Sequence, residues 1–209
     1  MLSHALTIVI NELNRHLKDS YGEDTDLAAL GNIAEGFTES NGGIERGMTY
    51  LSVVNIKEEK ALKNVPHYSR NDVTLTASYE NPPALLDFLI LVVVTHKNYM
   101  DALLGLSRAI RFFQFKNVFT QNNVAPGSIT QGLPVNPLDQ LESFNLIFDL
   151  YSPTMEDVNH LWGTLGGKQY PFVLYMLRML ELKFKAVQSE SGLITEVIGD
   201  FYHKNGMAS

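Results

Sequence analysis

Apolar residues are densest between Asn81 and His96, where Phe88 to Val94 is an unbroken run rich in β-branched side chains. A strand wet on one face alternates, whereas an unbroken run is buried on both. Pro82 and Pro83 mark its start, because proline donates nothing to a strand ladder, and His96-Lys97-Asn98 ends it. The run is about half the roughly 20 residues of a membrane helix, and Asp87 interrupts it. The pattern therefore predicts a central strand. The period then changes. Tyr99, Leu103, Leu106, Ile110 and Phe113 recur every three or four residues, with Asp101, Arg108 and Arg111 off that stripe. This predicts an amphipathic helix, capped by Asn98 and buried through the stripe.

The same reading extends along the chain. Leu2, Leu6, Val9, Ile10, Leu13 and Leu17 predict a first helix with Ser3 as its cap, ended by the acidic loop Tyr21 to Asp26. Ala29 to Phe37 predicts a short edge strand. Met48 to Ile56 predicts another strand, broken by Lys57-Glu58-Glu59-Lys60, and Ala61 to Asn71 predicts a polar loop. Val73, Leu75, Ala77 and Tyr79 alternate with polar residues, as in a half-buried strand. Asn117 to Gln140 shows no period and contains Pro126-Gly127 and Asn136-Pro137, which predicts a long functional loop. Phe144, Leu146, Phe148 and Leu150 predict a strand. Ser152 and Pro153 are expected to open a helix buried through Val158, Leu161, Trp162 and Leu165 and stopped by Gly166-Gly167. Phe172 to Val187 predicts a long strand, Ser189 to Gly192 a turn, and Leu193 to Tyr202 a returning strand. The sum is an α+β domain over 1–187 with a strand-like arm at 188–209.

Composition narrows the chemistry. The chain has 209 residues and no cysteine, which removes disulfides, thiolate catalysis and cysteine metal sites. A formal net charge of −7 opposes binding to phosphate backbones, so no nucleic-acid partner is expected. The N-terminus lacks the basic region of a signal peptide and reaches Asn11-Glu12 too soon for one, which predicts a cytoplasmic product, and the shortness of the apolar run predicts no membrane insertion.

No catalytic or cofactor motif is complete. Gly163 to Gln169 resembles a phosphate loop only superficially: Trp162 stands where the first glycine is needed, and Gln169 replaces the magnesium-binding hydroxyl. Glu12 with His16, and Glu156 with His160, have metal-ligand spacing but no third ligand, so helix-surface pairing is the better reading. His96 follows the central strand, where catalytic residues occur, yet no nucleophile or partnered carboxylate is visible in the sequence. No catalytic residue, metal site or cofactor is therefore assigned, and the protein is expected not to be an enzyme.

Three segments in order carry a family resemblance. They are Tyr50 to Glu59 continuing to Asn64, then Pro82 to Phe88 with Leu103-Leu104-Gly105-Leu106, and then Leu161 to Met179 with its Leu-Trp, Leu-Gly, Tyr-Pro, Tyr and Arg spacing. Together they resemble the cap, or tail-terminator, proteins of extracellular contractile injection systems, as in the antifeeding prophage and the virulence cassettes. The resemblance spans Leu2 to Val187; the sequence departs from the family pattern at Ile90 to Val94, with no change of apolar character.

The resemblance implies a phage tail-terminator-like α+β fold, with a mixed β-sheet flanked by helices. It also implies a six-fold ring on the distal end of an inner tube that ends tube growth and anchors the last sheath layer. The partners would be further copies of the chain, the tube protein and the sheath protein, in a phage-tail-like particle that can be released. Asn123, Pro126, Ile129 and Leu133 of the long loop are the candidate subunit or tube contacts. Leu193, Ile194, Val197, Ile198, Phe201 and Tyr202 of the arm are the candidate sheath or partner-strand contacts. Two alternatives remain: an adaptor in a related phage tail or type VI-like apparatus, and a small hydrolase built on His96 with an acidic partner.

Overall fold

The structure, a computed structural model, describes residues 1–37, 43–59, 68–71, 76–79, 84–182 and 189–192. Contacts divide the chain into two units, Met1–Leu62 with Ala84–Leu182, and Lys63–Pro83 with Lys183–Ser209.

The first unit opens with helix α1 (Leu2–Tyr21), strand β1 (Ala28–Leu30), a 3-10 turn (Ile33–Glu35) and strand β2 (Thr49–Glu58). In the second unit, β3 (Tyr68–Asn71) and β4 (Thr76–Tyr79) follow. The chain returns to the first unit with β5 (Ala84–Val94), α2 (Tyr99–Phe115), β6 (Val118–Thr120) and α3 (Pro126–Thr130). A 3-10 turn (Pro137–Asp139), β7 (Asn145–Tyr151), α4 (Met155–Thr164) and β8 (Phe172–Leu182) complete that unit. Last comes β9 (Ser189–Gly192) in the second unit, where β3, β4 and β9 make an antiparallel sheet in that order.

Six strands of the first unit form one sheet in the order β1-β2-β5-β8-β7-β6. Only the edge pair β1–β2 is parallel, so the sheet is mixed. Strand β5 lies between the long strands β2 and β8, as its unbroken apolar run predicts. Ile90 and Val92 enter one core cluster, and Leu91 and Val93 enter the other. All four are fully buried. The first cluster joins that face of the sheet to α1 and α2, with Leu6, Val9, Leu13, Phe112 and Phe113 against Phe88, Phe148 and Leu177. The second holds Trp162 of α4 with Ile33, Ile44, Tyr50 and Leu174. The sheet is thus covered on both faces, which is the physical demand that such a strand makes.

Aromatic rings dominate the first cluster. Phe113 lies 4.6 Å from Tyr175 and 5.1 Å from Phe148, centroid to centroid. Each such contact adds about 0.5–1.5 kcal/mol beyond area burial. Burial alone pushes the Tyr175 hydroxyl up to about 12. On the other face, Trp162 is buried beside Tyr170 and Phe172, as its phase predicts. Gly166 and Gly167, with φ of 94° and 77°, end α4 in a conformation that side chains resist.

Several local expectations are corrected. Ser3 does not cap α1, whose first turn closes on the Met1 carbonyl. The strand expected over Ala29 to Phe37 ends at Leu30 and gives way to the 3-10 turn, where Asn32 accepts from Ala34 N–H. Strand β2 runs through Lys57 and Glu58, because its ladder with β5 continues and places Lys57 opposite Asp87. The helix expected from Ser152 starts later. Thr154 accepts from Asp157 N–H while the Asp157 carboxylate accepts from Thr154 N–H and Oγ1, so this reciprocal cap sets the start. Those Thr154 bonds also lower the Asp157 pKa. Leu150, expected on the buried face of β7, is exposed near the strand end. Ser189 to Gly192 is not a turn but β9, where backbone pairing to β4 outweighs turn-favouring composition. Part of the polar loop expected over Ala61 to Asn71 is β3. The returning strand expected at Leu193 to Tyr202 lies outside the described residues, as does the boundary at 187.

Two corrections bear on function. The buried side of α2 is Ala102, Ala109, Phe112 and Phe113, not the predicted stripe, of which only Phe113 is buried. The stretch Asn117 to Gln140 is not an unstructured loop; it contains β6, α3 and a 3-10 turn, tied to α1.

Candidate functional site

The tie between α1 and the 118–141 segment centres on Glu12. Its side chain is 1% exposed and receives four groups. Arg15 Nη2 donates at 2.8 Å and Lys116 Nζ at 2.6 Å. Ser128 Oγ donates at 2.7 Å and the Ala125 N–H at 3.1 Å. Burial by itself would raise the Glu12 pKa, but the donors from Arg15, Lys116, Ser128 and Ala125 outweigh it and hold the carboxyl at about 2. The same contact to Glu12 raises the Arg15 pKa. Lys116 also donates to the Asn123 carbonyl, so one ammonium joins the end of α2 to the turn before α3.

Further bonds fix the segment along α1. Asn11 Nδ2 donates to the Ser128 and Gln131 carbonyls, both at 2.9 Å. Leu141 N–H donates to His4 Nδ1 at 3.0 Å, while His4 Nε2 lies 3.1 Å from the Ile129 carbonyl. Gln140 Nε2 reaches the Pro134 carbonyl. The turn between these ties stands outward. Val135 is 100% exposed and Leu138 65% exposed, with Leu133 and Asp139 also exposed. Such a fixed, apolar projection suits contact with another surface.

A second apolar surface is the outer arc of α2. Tyr99, Met100, Leu103, Leu104, Ile110 and Phe115 are exposed there, beside Ser107 and Arg111. The cause is the inner arc. Ala102, Gly105 and Ala109 are small and let the helix lie close to the sheet; a Cβ on Gly105 would stand 3.2 Å from Val94 Cγ1. Tyr99, Met100, Leu103, Leu104 and Ile110 consequently face outward, while Phe112 and Phe113 fill the inner side further along the helix. Sequence reasoning missed this surface because α2 has apolar residues on two arcs, and the regular small-residue spacing at 102, 105 and 109 was the available signal.

The candidate contact residues of the 118–141 segment are not alike. Asn123 is exposed, but its side chain is used locally: it accepts from Thr120 N–H and donates to the Val118 carbonyl. Pro126 is exposed at the start of α3, and Ile129 packs partly against the α1 core. Leu133 belongs to the outward turn. Leu193, Ile194, Val197, Ile198, Phe201 and Tyr202 lie outside the described residues.

A cavity of about 290 Å³ adjoins His96, with Glu23, Asp101, Leu104 and Arg108 in its wall. Glu23 is ion-paired to Arg108, whose guanidinium also covers the Tyr21 ring. Neither carboxylate hydrogen-bonds His96 among the described residues. Glu12 is committed to its four donors, while His16 packs on Phe112 and Phe115 and bonds Ser20. Burial lowers the His16 pKa. Glu156 and His160 form an exposed pair at 3.6 Å. Among the described residues, no group of three candidate ligands could hold a metal ion. Likewise, no helix there is long and apolar enough to cross a membrane.

The model of the Pvc16 N-terminal domain matches residues 4–196. The chain belongs to this Pvc16 N-terminal domain family. That membership bears out the resemblance read from the three motif segments. Two solved structures are similar in fold. One is the PVC sheath/tube terminator of an extracellular contractile injection system in its extended state, with a TM-score of 0.62 at 11% identity. The other is the anti-feeding prophage cap, a tube-terminating cap, with a TM-score of 0.55 at 10% identity. The first match covers 100% of this chain and 65% of that one; the second covers 92% and 60%. The chain thus spans less than two thirds of either structure's length. No curated protein matches it by sequence. The expected terminator-like α+β fold agrees with both structures.

Proposed function

We propose that this domain terminates the inner tube of a contractile injection system. The observation that carries the reading is the family match, which extends over residues 4–196 instead of one motif. Fold similarity to two terminators of such particles supports it. The role is structural: copies of the chain form a six-fold ring on the distal tube end, stop tube growth and hold the last sheath layer. The partners are then the chain itself, the tube protein and the sheath protein, with no cofactor, no nucleic acid and no insertion into membrane. Assembly takes place in the cytoplasm, before release of the particle.

Within this reading, the 118–141 segment meets a neighbouring subunit or the tube through Asn123, Pro126, Ile129 and Leu133. The arm after Gly192 supplies Leu193, Ile194, Val197, Ile198, Phe201 and Tyr202 to a partner strand, as strand addition permits. Electron microscopy of particles assembled with and without the chain tests the role. Without it, tubes should grow past their normal length and sheaths should lose their distal anchor. Tubes of unchanged length would reject termination and favour an adaptor. Truncation after Gly192 should leave tube capping intact and release the sheath; capped particles with normally anchored sheath would reject the role of the arm.

A further inference from the structure

Two exposed apolar surfaces lie on the first unit, and neither has a cover among the described residues. One is the outer arc of α2, with Met100, Leu103, Leu104 and Ile110 around Ser107. The other is the turn that presents Val135 and Leu138. Their charges are complementary. Arg111 is exposed on the α2 arc and Asp139 is exposed beside Leu138, and among the described residues neither makes an ion pair. Side chains this apolar are unfavourable in water, while an unmatched charge at the edge of each surface selects an opposite partner.

We infer that the two surfaces are the halves of one head-to-tail contact, in which the Leu133–Asp139 turn of one copy docks on the outer arc of α2 in the next. The inference rests on the ring-forming reading above and names the surface that receives the turn. A contact between different patches repeats from copy to copy until it closes, whereas one between identical patches stops at a dimer. The turn is suited to its part because Asn11, His4 and Gln140 already hold its backbone. Little ordering remains for binding to impose. Val135 and Leu138 then cover the apolar arc, and Asp139 meets Arg111 at the rim.

The absence of cysteine allows a direct test in the full-length chain. A variant carrying both Ser107→Cys and Val135→Cys should give a ladder of covalent oligomers under mild oxidation. Mixing the two single variants should give a covalent dimer and nothing larger. A dimer from Ser107→Cys alone would mean that α2 meets α2, and would overturn the inference. A charge exchange gives a second readout without cross-linking. Arg111→Asp and Asp139→Arg should each weaken self-association about tenfold or more, and the double variant should recover most of the loss. Wild-type oligomers with neither the ladder nor the charge effect would overturn this contact while leaving the ring intact. A wild-type chain that stays monomeric, including on tube ends, would overturn the ring and the contact together.

Discussion

The Lys116 ammonium lies 2.6 Å from the Glu12 carboxylate across 104 positions of sequence. This contact joins the end of α2 to the middle of α1, and through Asn123, Ala125 and Ser128 it holds the segment that periodicity alone reads as a long loop. The loop-like stretch is therefore part of the helical layer. Its outward turn is held at both ends by Asn11, His4 and Gln140.

Glu12→Gln should destabilise the first unit by about 3–5 kcal/mol, the usual result of removing one partner from a buried charged group. Urea unfolding followed by tryptophan fluorescence measures it. A loss below about 0.5 kcal/mol would mean that the network contributes no net stability.

The same carboxyl sets an acid limit. Its pKa is about 2 in the folded chain against an ordinary 4.5, so folding favours the ionised form. The stabilisation is complete above pH 4.5 and is lost as pH falls towards 2. At about 1.4 kcal/mol per pH unit, wild type should lose on the order of 3 kcal/mol more than Glu12→Gln across that window. Parallel acid titrations of the two proteins that coincide would contradict the assignment.

On the other face of the sheet, Trp162→Ala should cost about 3–5 kcal/mol, because it empties a large buried volume beside Tyr170 and Phe172. Its Nε1 has no hydrogen-bond partner among the described residues. Trp162→Phe should consequently cost clearly less than Trp162→Ala. Equal melting temperatures for the two variants would show that the site does not depend on filled volume.

The seating of α2 gives a paired test. Gly105→Leu should lower stability by about 1–3 kcal/mol, since the added Cβ alone would crowd Val94 and the rest of the side chain must displace the helix. Tyr99→Ser, on the outer arc and 65% exposed, should change folding stability by no more than about 0.5 kcal/mol. The reverse order in thermal melts would restore the stripe predicted from periodicity.

Much of this architecture was legible in the sequence. The unbroken run at Phe88 to Val94 required cover on both faces, because continuous burial leaves no wet side. The positions of α1, β5, α4 and β8 followed from local period and from proline or glycine punctuation. Tertiary structure decided the rest. Two arcs of α2 are apolar, and periodicity cannot choose between them. The sheet chose the arc of Ala102, Gly105 and Ala109, whose small side chains permit close approach and leave space for Phe112 and Phe113 to fill. Nor does local patterning show that Glu12 is buried, because its four donors come from α1, from Lys116 at the end of α2 and from the segment before and within α3. Local sequence determines where a helix or strand can form; partners distant in sequence decide which face is covered and which charged group can be buried.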